Sequence, residues 1–328
     1  MSDQFTLADR IVLRLVGLAI LLRHPYLLFR ISSINGRLLD VVTPRTDLDR
    51  FAWRKLFDHN PLFTMCCDKL ASKQHALEVA PGLKTAETLW VGDSVEAIPF
   101  DKLAGNVVFK ANHGSGWNVM IRDGHYEREN VLRKARRWLS NQYGWINGEW
   151  GYKHARKRLV IERMLLEDGE PVNTEYKFHI SGGRTAYVYM QRKVNEEKSW
   201  LCVERDGTAL PEPAMPGSGW APLPIPPEFE HMREAAEKLG APFDHIRVDL
   251  YAIDGDIYFS ELTVYPQSGR SVVNPRLVWL RTAGWHLENS WFLSTPQRGW
   301  RCLYARAVRR WLATRLVQAE VRRAEAAR

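Results

Sequence analysis

Two acidic residues, Asp249 and Glu261, sit in the stretch RVDLYAIDGDIYFSELTVYP, where two apolar runs flank an Asp-Gly pair. Apolar residues in short runs around Asp-Gly predict two strands joined by a tight hairpin turn. Such a hairpin places both carboxylates on neighbouring strands. That pair suits Mg²⁺, which takes hard oxygen ligands in an octahedron completed by substrate phosphates. Taken alone, the pattern also describes a solvated hairpin edge. Lys110 closes the run VVFK and leads into ANHGSGWNVMI, which reads as strand, Gly-rich turn, strand. Gly114 and Gly116 let backbone approach an anion closely, Ser115 adds a hydroxyl donor, and Lys110 supplies a compact positive charge. The spacing is neither GxxxxGK[ST] nor GxGxxG, and no helix follows the turn. Viewed alone, an ordinary hairpin turn with an incidental lysine fits equally well.

The elements that must position these groups are mixed. Hydrophobic periodicity predicts helices near 65–80, 127–142, 228–239 and 303–325, and strands near 106–111, 117–122, 158–163, 175–180, 185–192, 246–252 and 256–262. The fold class is α/β of the α+β kind.

In this order the segments KLFDHNPLFTMCCDKLASK, VVFKANHGSGWNVMI, VIERML, EYKFHISGG and RVDLYAIDGDIYFSELT resemble an ATP-grasp enzyme over roughly residues 50–275. The likeness is closest to the TupA-like proteins of teichuronopeptide and cell-surface polysaccharide synthesis. The resemblance implies that ATP is clasped between a small lid sheet and a larger antiparallel sheet. It implies a division into an N-terminal helical segment (1–50), the first part of the body (51–105), the lid (106–163), a metal and acceptor part (164–295) and a basic C-terminal helix (296–328).

Carried over residue by residue, Lys69 and Lys110 resemble the two nucleotide-binding lysines. His113, Gly114, Ser115 and Gly116 fall in the loop over the phosphates, and Glu162, Arg163 and Leu165 in the hinge whose backbone meets adenine. Glu175 resembles the ribose-binding acid. Arg192, closing AYVYMQR, falls where related ligases face the acyl phosphate; with Arg247 and Lys177 it completes the implied catalytic cations. Asp249 and Glu261 would hold Mg²⁺. Where many ATP-grasp chains have Glu-x-Asn, this one has Glu261-Leu262-Thr263, so Thr263 offers a hydroxyl in place of an amide oxygen. Gln267 stands where a smaller residue is expected.

The implied chemistry is ATP-dependent ligation of a carboxylate, from an acidic sugar or peptide, to an amine through an acyl phosphate. In such phosphoryl transfer the protein mainly positions charge. The alternatives are a sugar kinase on the same clasp, with His113 or His179 as its base, and a non-catalytic nucleotide-binding protein docked at a membrane assembly. GxSxG, HExxH and CxxC motifs are absent.

Composition agrees with an intracellular globular enzyme. The chain has 328 residues, 45% hydrophobic and 26% charged, and a formal charge of +8 that favours nucleotides, anionic glycans or anionic lipid. No helix-turn-helix, zinc-finger or RNP motif supports nucleic acid as a partner. Cys66, Cys67, Cys202 and Cys302 read as thiols in a reducing compartment. The apolar run IVLRLVGLAILL between Arg10 and Arg23 is too short to span a bilayer. It reads as a helix packed on the body, which is favoured, or as an interfacial helix on the inner leaflet. At the other end Val308, Trp311, Leu312 and Leu316, with Arg306, Arg309, Arg310 and Arg315, describe a basic amphipathic helix open to the same two readings. The expected location is cytoplasmic, at the inner face of the plasma membrane if either helix docks. The proline-rich segment 211–227 reads as an extended surface connector.

Overall fold

The computed structural model describes residues 4–194, 197–211, 221–270 and 274–326, with side chains throughout except at 34–35 and 316–326. Most of the proline-rich connector (212–220) and the Leu316 side chain therefore lie outside the described residues. In chain order the helices are α1 (Leu7–Arg23), α2 (Pro25–Asn35), α3 (Asp47–Leu56), α4 (Leu62–Cys67), α5 (Lys69–Val79), α6 (Arg128–Ser140), α7 (Phe229–Gly240), α8 (Pro275–Gly284), α9 (Trp291–Ser294) and α10 (Trp300–Ala326). The strands are β1 (Lys84–Thr85), β2 (Thr88–Gly92), β3 (Val107–Ala111), β4 (Asn118–Ile121), β5 (Leu159–Arg163), β6 (Leu166–Glu167), β7 (Glu170–Pro171), β8 (Thr174–Ser181), β9 (Arg184–Val194), β10 (Glu197–Val203), β11 (His245–Ile253) and β12 (Asp256–Thr263). Two compact units result, one of Met1–His59, Gly269–Val272 and His286–Arg328, the other of Asn60–Ser268 and Val273–Trp285.

The first unit is helical. Thr6 and Thr46 cap α1 and α3, each in a reciprocal capping box with an aspartate, Asp9 and Asp49. His24 and Pro25 end α1 and start α2. Leu13, Val16 and Ile20 of α1 share a core with Trp53, Phe57, Phe292, Tyr304, Val308 and Trp311. Trp53 donates to the Tyr304 hydroxyl at 2.9 Å, which donates in turn to the Val42 carbonyl at 2.9 Å, so the buried polar tips are satisfied. Val308 and Trp311, read from sequence as an apolar stripe for membrane or body, are consumed by this core.

The second unit holds two antiparallel sheets of different size. The larger has the order β1-β12-β11-β8-β9-β10, antiparallel except for the short parallel edge strand β1; the smaller has the order β2-β5-β3-β4. The predicted Asp-Gly turn is present: Asp254 and Gly255 have φ of 51° and 83°, and Ile253 pairs with Asp256 across them. The helix expected over 65–80 is two helices. Asp68 leaves helical geometry and its side chain accepts from the Ala71 amide, capping α5. Strand β10 was not anticipated. Its charged start, Glu197-Lys198, hides a run whose Leu201, Cys202 and Val203 are buried.

The period of two decides which face of the large sheet does what. Tyr176, Phe178, Ile180, Val188, Met190, Val248, Leu250 and Leu262 form one face, packed with Met232, Ala236 and Leu239 of α7. The opposite parity presents Glu175, Lys177, Arg247, Asp249, Glu261 and Thr263 in adjacent register. Gly240 permits the close approach of α7: a Cβ there would lie 2.4 Å from Ile180 Cγ2. Gly240→Ala is therefore expected to destabilise the fold by about 1–3 kcal/mol, read from the urea midpoint at unchanged slope. In the small sheet Val107, Phe109, Ile121 and Ile161 pack on Val131, Ala135 and Trp138 of α6, leaving Lys110 and Glu162 on the other side.

Candidate active site

Hairpin pairing of β11 with β12 sets Asp249 directly opposite Glu261 and Arg247 opposite Thr263, while β8 sets Lys177 on the other side of Asp249. Arg247 grips Asp249 with two bonds, at 2.6 and 2.5 Å, and reaches Glu261 Oε1 at 3.2 Å and Thr263 Oγ1 at 3.0 Å. The Thr263 hydroxyl donates to Glu261 at 2.8 Å. Thr263 thus braces the glutamate. Lys177 contacts Glu175 at 2.6 Å and lies 4.0 Å from Asp249. A bulge after Asp249 shifts the register and brings the Ser260 hydroxyl, with the Tyr251 hydroxyl, to Glu175, each at 3.4 Å.

On the small sheet Glu162 holds Lys110 at 2.5 Å and Lys73 at 2.6 Å, all three largely buried. The sequence reading missed Lys73. Its signal was the helical step from Lys69 within DKLASK, which puts both lysines on one side of α5. The N-terminus of α5 is tied to the turn after β3. The Lys69 and Leu70 amides donate to the Asn112 carbonyl and side chain, and Lys69 Nζ donates to the Gly114 carbonyl at 2.8 Å. In that turn a Cβ on Gly114 would meet the Trp117 ring at 2.8 Å, and Gly116 has a left-handed φ of 68°. Ser115 and Gly116 are exposed.

Electrostatics bind the parts into one cluster. Burial alone would raise Glu261, but Lys69, Arg247 and the Thr263 hydroxyl outweigh it and hold the carboxyl at about 2. Burial drives Lys69 below the usual lysine range, with Glu261 opposing and Lys110 adding to the fall. Lys73 drops to about 8 through burial and the neighbouring Lys110 charge, against the pull of Glu162. Burial lifts Asp249 above the ordinary aspartate range, opposed by Arg247 and Lys177.

Other sequence candidates lie elsewhere. His113 is buried, its Nε2 donating to the Trp138 carbonyl at 2.9 Å, and burial pushes its imidazole below the ordinary range. His179 is buried between the rings of Tyr187 and His245. Arg163 is exposed, its side chain paired with Glu87 at 2.6 Å. Leu165 is half-buried, its carbonyl accepting from the Val172 amide. Arg192 is the largest displacement. It pairs with Thr174 and Ser199 at the parity opposite to Glu175 and Lys177, and lines a cavity of about 630 Å³ with Glu167, Asp168, Glu170 and Glu228. The sequence could not show this, because one residue of register decides the face.

The donor set suits a nucleotide-borne metal better than a metal caged by protein alone. Among the described residues no group of three or more acidic, histidine or cysteine ligands converges. Two opposed carboxylates can supply the protein ligands of Mg²⁺ when phosphates supply others, and the cations around them suit the phosphates, not the metal.

The chain resembles several solved ligases in fold. D-alanine–D-alanine ligase from Bacillus anthracis is 18% identical, with a TM-score of 0.41, over 77% of this chain and 70% of that one. The ATP-grasp ligase PsnB with bound precursor variant, Mg and ADP is 13% identical, with a TM-score of 0.38, over 69% of this chain and 60% of the other. N5-carboxyaminoimidazole ribonucleotide synthetase from Thermus thermophilus is 13% identical, with a TM-score of 0.36, over 61% and 45%. The chain spans less than two thirds of the latter two. No curated protein matches it significantly in sequence. The family profile described as TupA-like ATPgrasp matches residues 49–278, well over half of the chain and every residue of the charged cluster. The chain belongs to the TupA-like ATP-grasp family.

Proposed function

We propose that this protein is an ATP-dependent carboxylate–amine ligase acting through an acyl phosphate. The observation that carries the reading is the register of Asp249 against Glu261 on a polar sheet face, within a cluster that also holds Lys69, Lys110, Lys177 and Arg247. An oxygen of the acceptor carboxylate attacks the γ-phosphorus while the bond to the bridging oxygen breaks and ADP leaves. The amine nitrogen then attacks the acyl carbon, phosphate departs, and the nitrogen loses a proton. Mg²⁺, held by Asp249 and Glu261 when bound, would draw off the triphosphate charge. Lys69 and Lys110 offset repulsion between the anionic reactants, and Glu162 keeps Lys73 and Lys110 oriented. Arg247, engaged by both acids and Thr263, positions the carboxylates. Glu175 takes the ribose, and the 162–165 backbone the adenine.

The substrates we assign are a carboxylate of an acidic sugar or peptide and an amine, joined during cell-surface polysaccharide synthesis at the cytoplasmic face of the membrane. Family membership and the basic chain support that setting. Peripheral contact with anionic inner-leaflet lipid belongs to the same reading. The test is ADP release from purified protein with Mg·ATP and pools of sugar acids and amines. Release that needs both a carboxylate and an amine is the expected result. Release with sugar alcohols alone would favour a kinase, and nucleotide binding without any release a non-catalytic protein.

Lys73 adds a pH signature. Above pH 8 its amine is largely neutral in the free enzyme, and a bound triphosphate favours the cation. Nucleotide binding at pH 8.5 should therefore take up protons, and affinity should fall as pH rises further. Calorimetry in buffers of different ionisation enthalpy reads the uptake, which Lys73→Met should remove.

A further inference from the structure

Helix α1 carries two apolar stripes, and only one of them is used by the fold. Leu13, Val16 and Ile20 enter the core of the first unit. Leu7, Ile11, Leu15, Leu18 and Leu22 follow helical spacing along the other side and are 50–73% exposed. Tyr26 and Phe29 of α2 add exposures of 62% and 74%. Single exposed leucines are ordinary, but a contiguous face of this kind marks an interaction surface.

The exposed charge carried by α1 itself has one sign. Arg10, Arg14 and Arg23 are exposed. The sole acid between Leu7 and Asn35 is Asp9, which is buried, caps Thr6 and bonds Arg310 at 3.3 Å. Arginines beside exposed leucines match an anionic bilayer surface, where the guanidinium meets lipid phosphate and the leucines reach the acyl boundary.

Packing restricts how the helix meets lipid. Among the described residues no single helix is long and apolar enough to cross a membrane, and the α1–α2 pair bends by 91° between its members. The bent pair is apolar and long enough together to enter a bilayer, but doing so would take the inner stripe of α1 out of its core with α10. One side remains, which is the geometry of a helix lying in the membrane plane.

We propose that the outer face of α1, with Tyr26 and Phe29 of α2, seats this protein in the plane of an anionic bilayer. The proposal deepens the membrane part of the function above, and it is independent of ligase chemistry because the surface belongs to the first unit. It also moves the docking element away from α10, whose Val308 and Trp311 are core residues.

Flotation of the full chain with vesicles of phosphatidylcholine alone, or with added phosphatidylglycerol, tests it. Wild type should float with the anionic vesicles and much less with the neutral ones. Leu15→Glu/Leu18→Glu should lower apparent lipid affinity about tenfold or more, with its circular dichroism and ATP-analogue binding unchanged because both positions are exposed. Arg10→Gln/Arg14→Gln should reduce the preference for anionic vesicles. Equal flotation of wild type and the leucine variant would overturn the proposal, as would failure of wild type to float. A wild-type dimer that the leucine variant converts to monomer would also overturn it, assigning the face to a second copy. Nucleotide binding by the same samples reports separately on the ATP-grasp reading.

Discussion

Glu261→Gln is expected to lower ATP-dependent turnover by about 10²–10³-fold while leaving the fold intact, a loss typical of removing one charge-stabilising group. The substitution keeps shape and removes charge. Because Lys69 and Arg247 hold Glu261 at about 2, it is ionised throughout the neutral range, so the wild-type effect cannot be traced to protonation. Arg247 retains its two hydrogen bonds to Asp249, so that buried charge stays paired. Lys110→Ala is the companion. Glu162 would still hold Lys73 at 2.6 Å, so stability should change little while nucleotide binding weakens. Calorimetric titration with a non-hydrolysable ATP analogue, with and without Mg²⁺, is the direct readout. Magnesium-dependent binding should be lost with Glu261→Gln; full binding and turnover in both variants would refute the site.

Arg247→Met should act on the fold itself. Asp249 is fully buried, and its two bonds to Arg247 are what make burial of its charge tolerable. Removing one partner of such a pair typically costs about 3–5 kcal/mol, because the other charge is stranded. Burial already lifts Asp249 above the ordinary aspartate range, and loss of Arg247 would lift it further. The unfolded chain then ionises at lower pH than the folded one, so the penalty should grow as pH rises from the acid side. Arg247→Met/Asp249→Leu should recover most of the stability without activity, since an apolar pair of similar volume has no charge to strand. Urea unfolding followed by tryptophan fluorescence measures both variants. A double variant as unstable as the single would place the cost in packing instead of the stranded carboxylate.

What was legible in the sequence is local. The Asp-Gly turn joins the strands of Asp249 and Glu261 through a two-residue connection, which the sequence shows; its register alone would set Asp249 opposite Ser260, and the bulge after Asp249 moves the pairing to Glu261. The run VVFK and the glycines after it likewise set Lys110 on a strand next to a tight turn, and the ATP-grasp resemblance rested on such local pieces in order. Tertiary structure decided what depends on register and on distant partners. Arg192 ends on the far face of the sheet from Lys177, a difference of one residue that AYVYMQR does not encode. Lys73 joins Glu162 only when α5 meets β5, across a separation no local pattern spans. Val308 and Trp311 have a strong amphipathic signal, yet whether that stripe met lipid or protein depended on α1 and α3 being there to cover it. The same packing left the second stripe of α1 bare. By itself the sequence determined which residues carry charge, which turns close tightly and which segments are apolar, because these follow from side-chain and backbone chemistry within a few residues. The faces they present and the partners they find were decided by the assembled sheets and helices, because burial is a property of the whole chain.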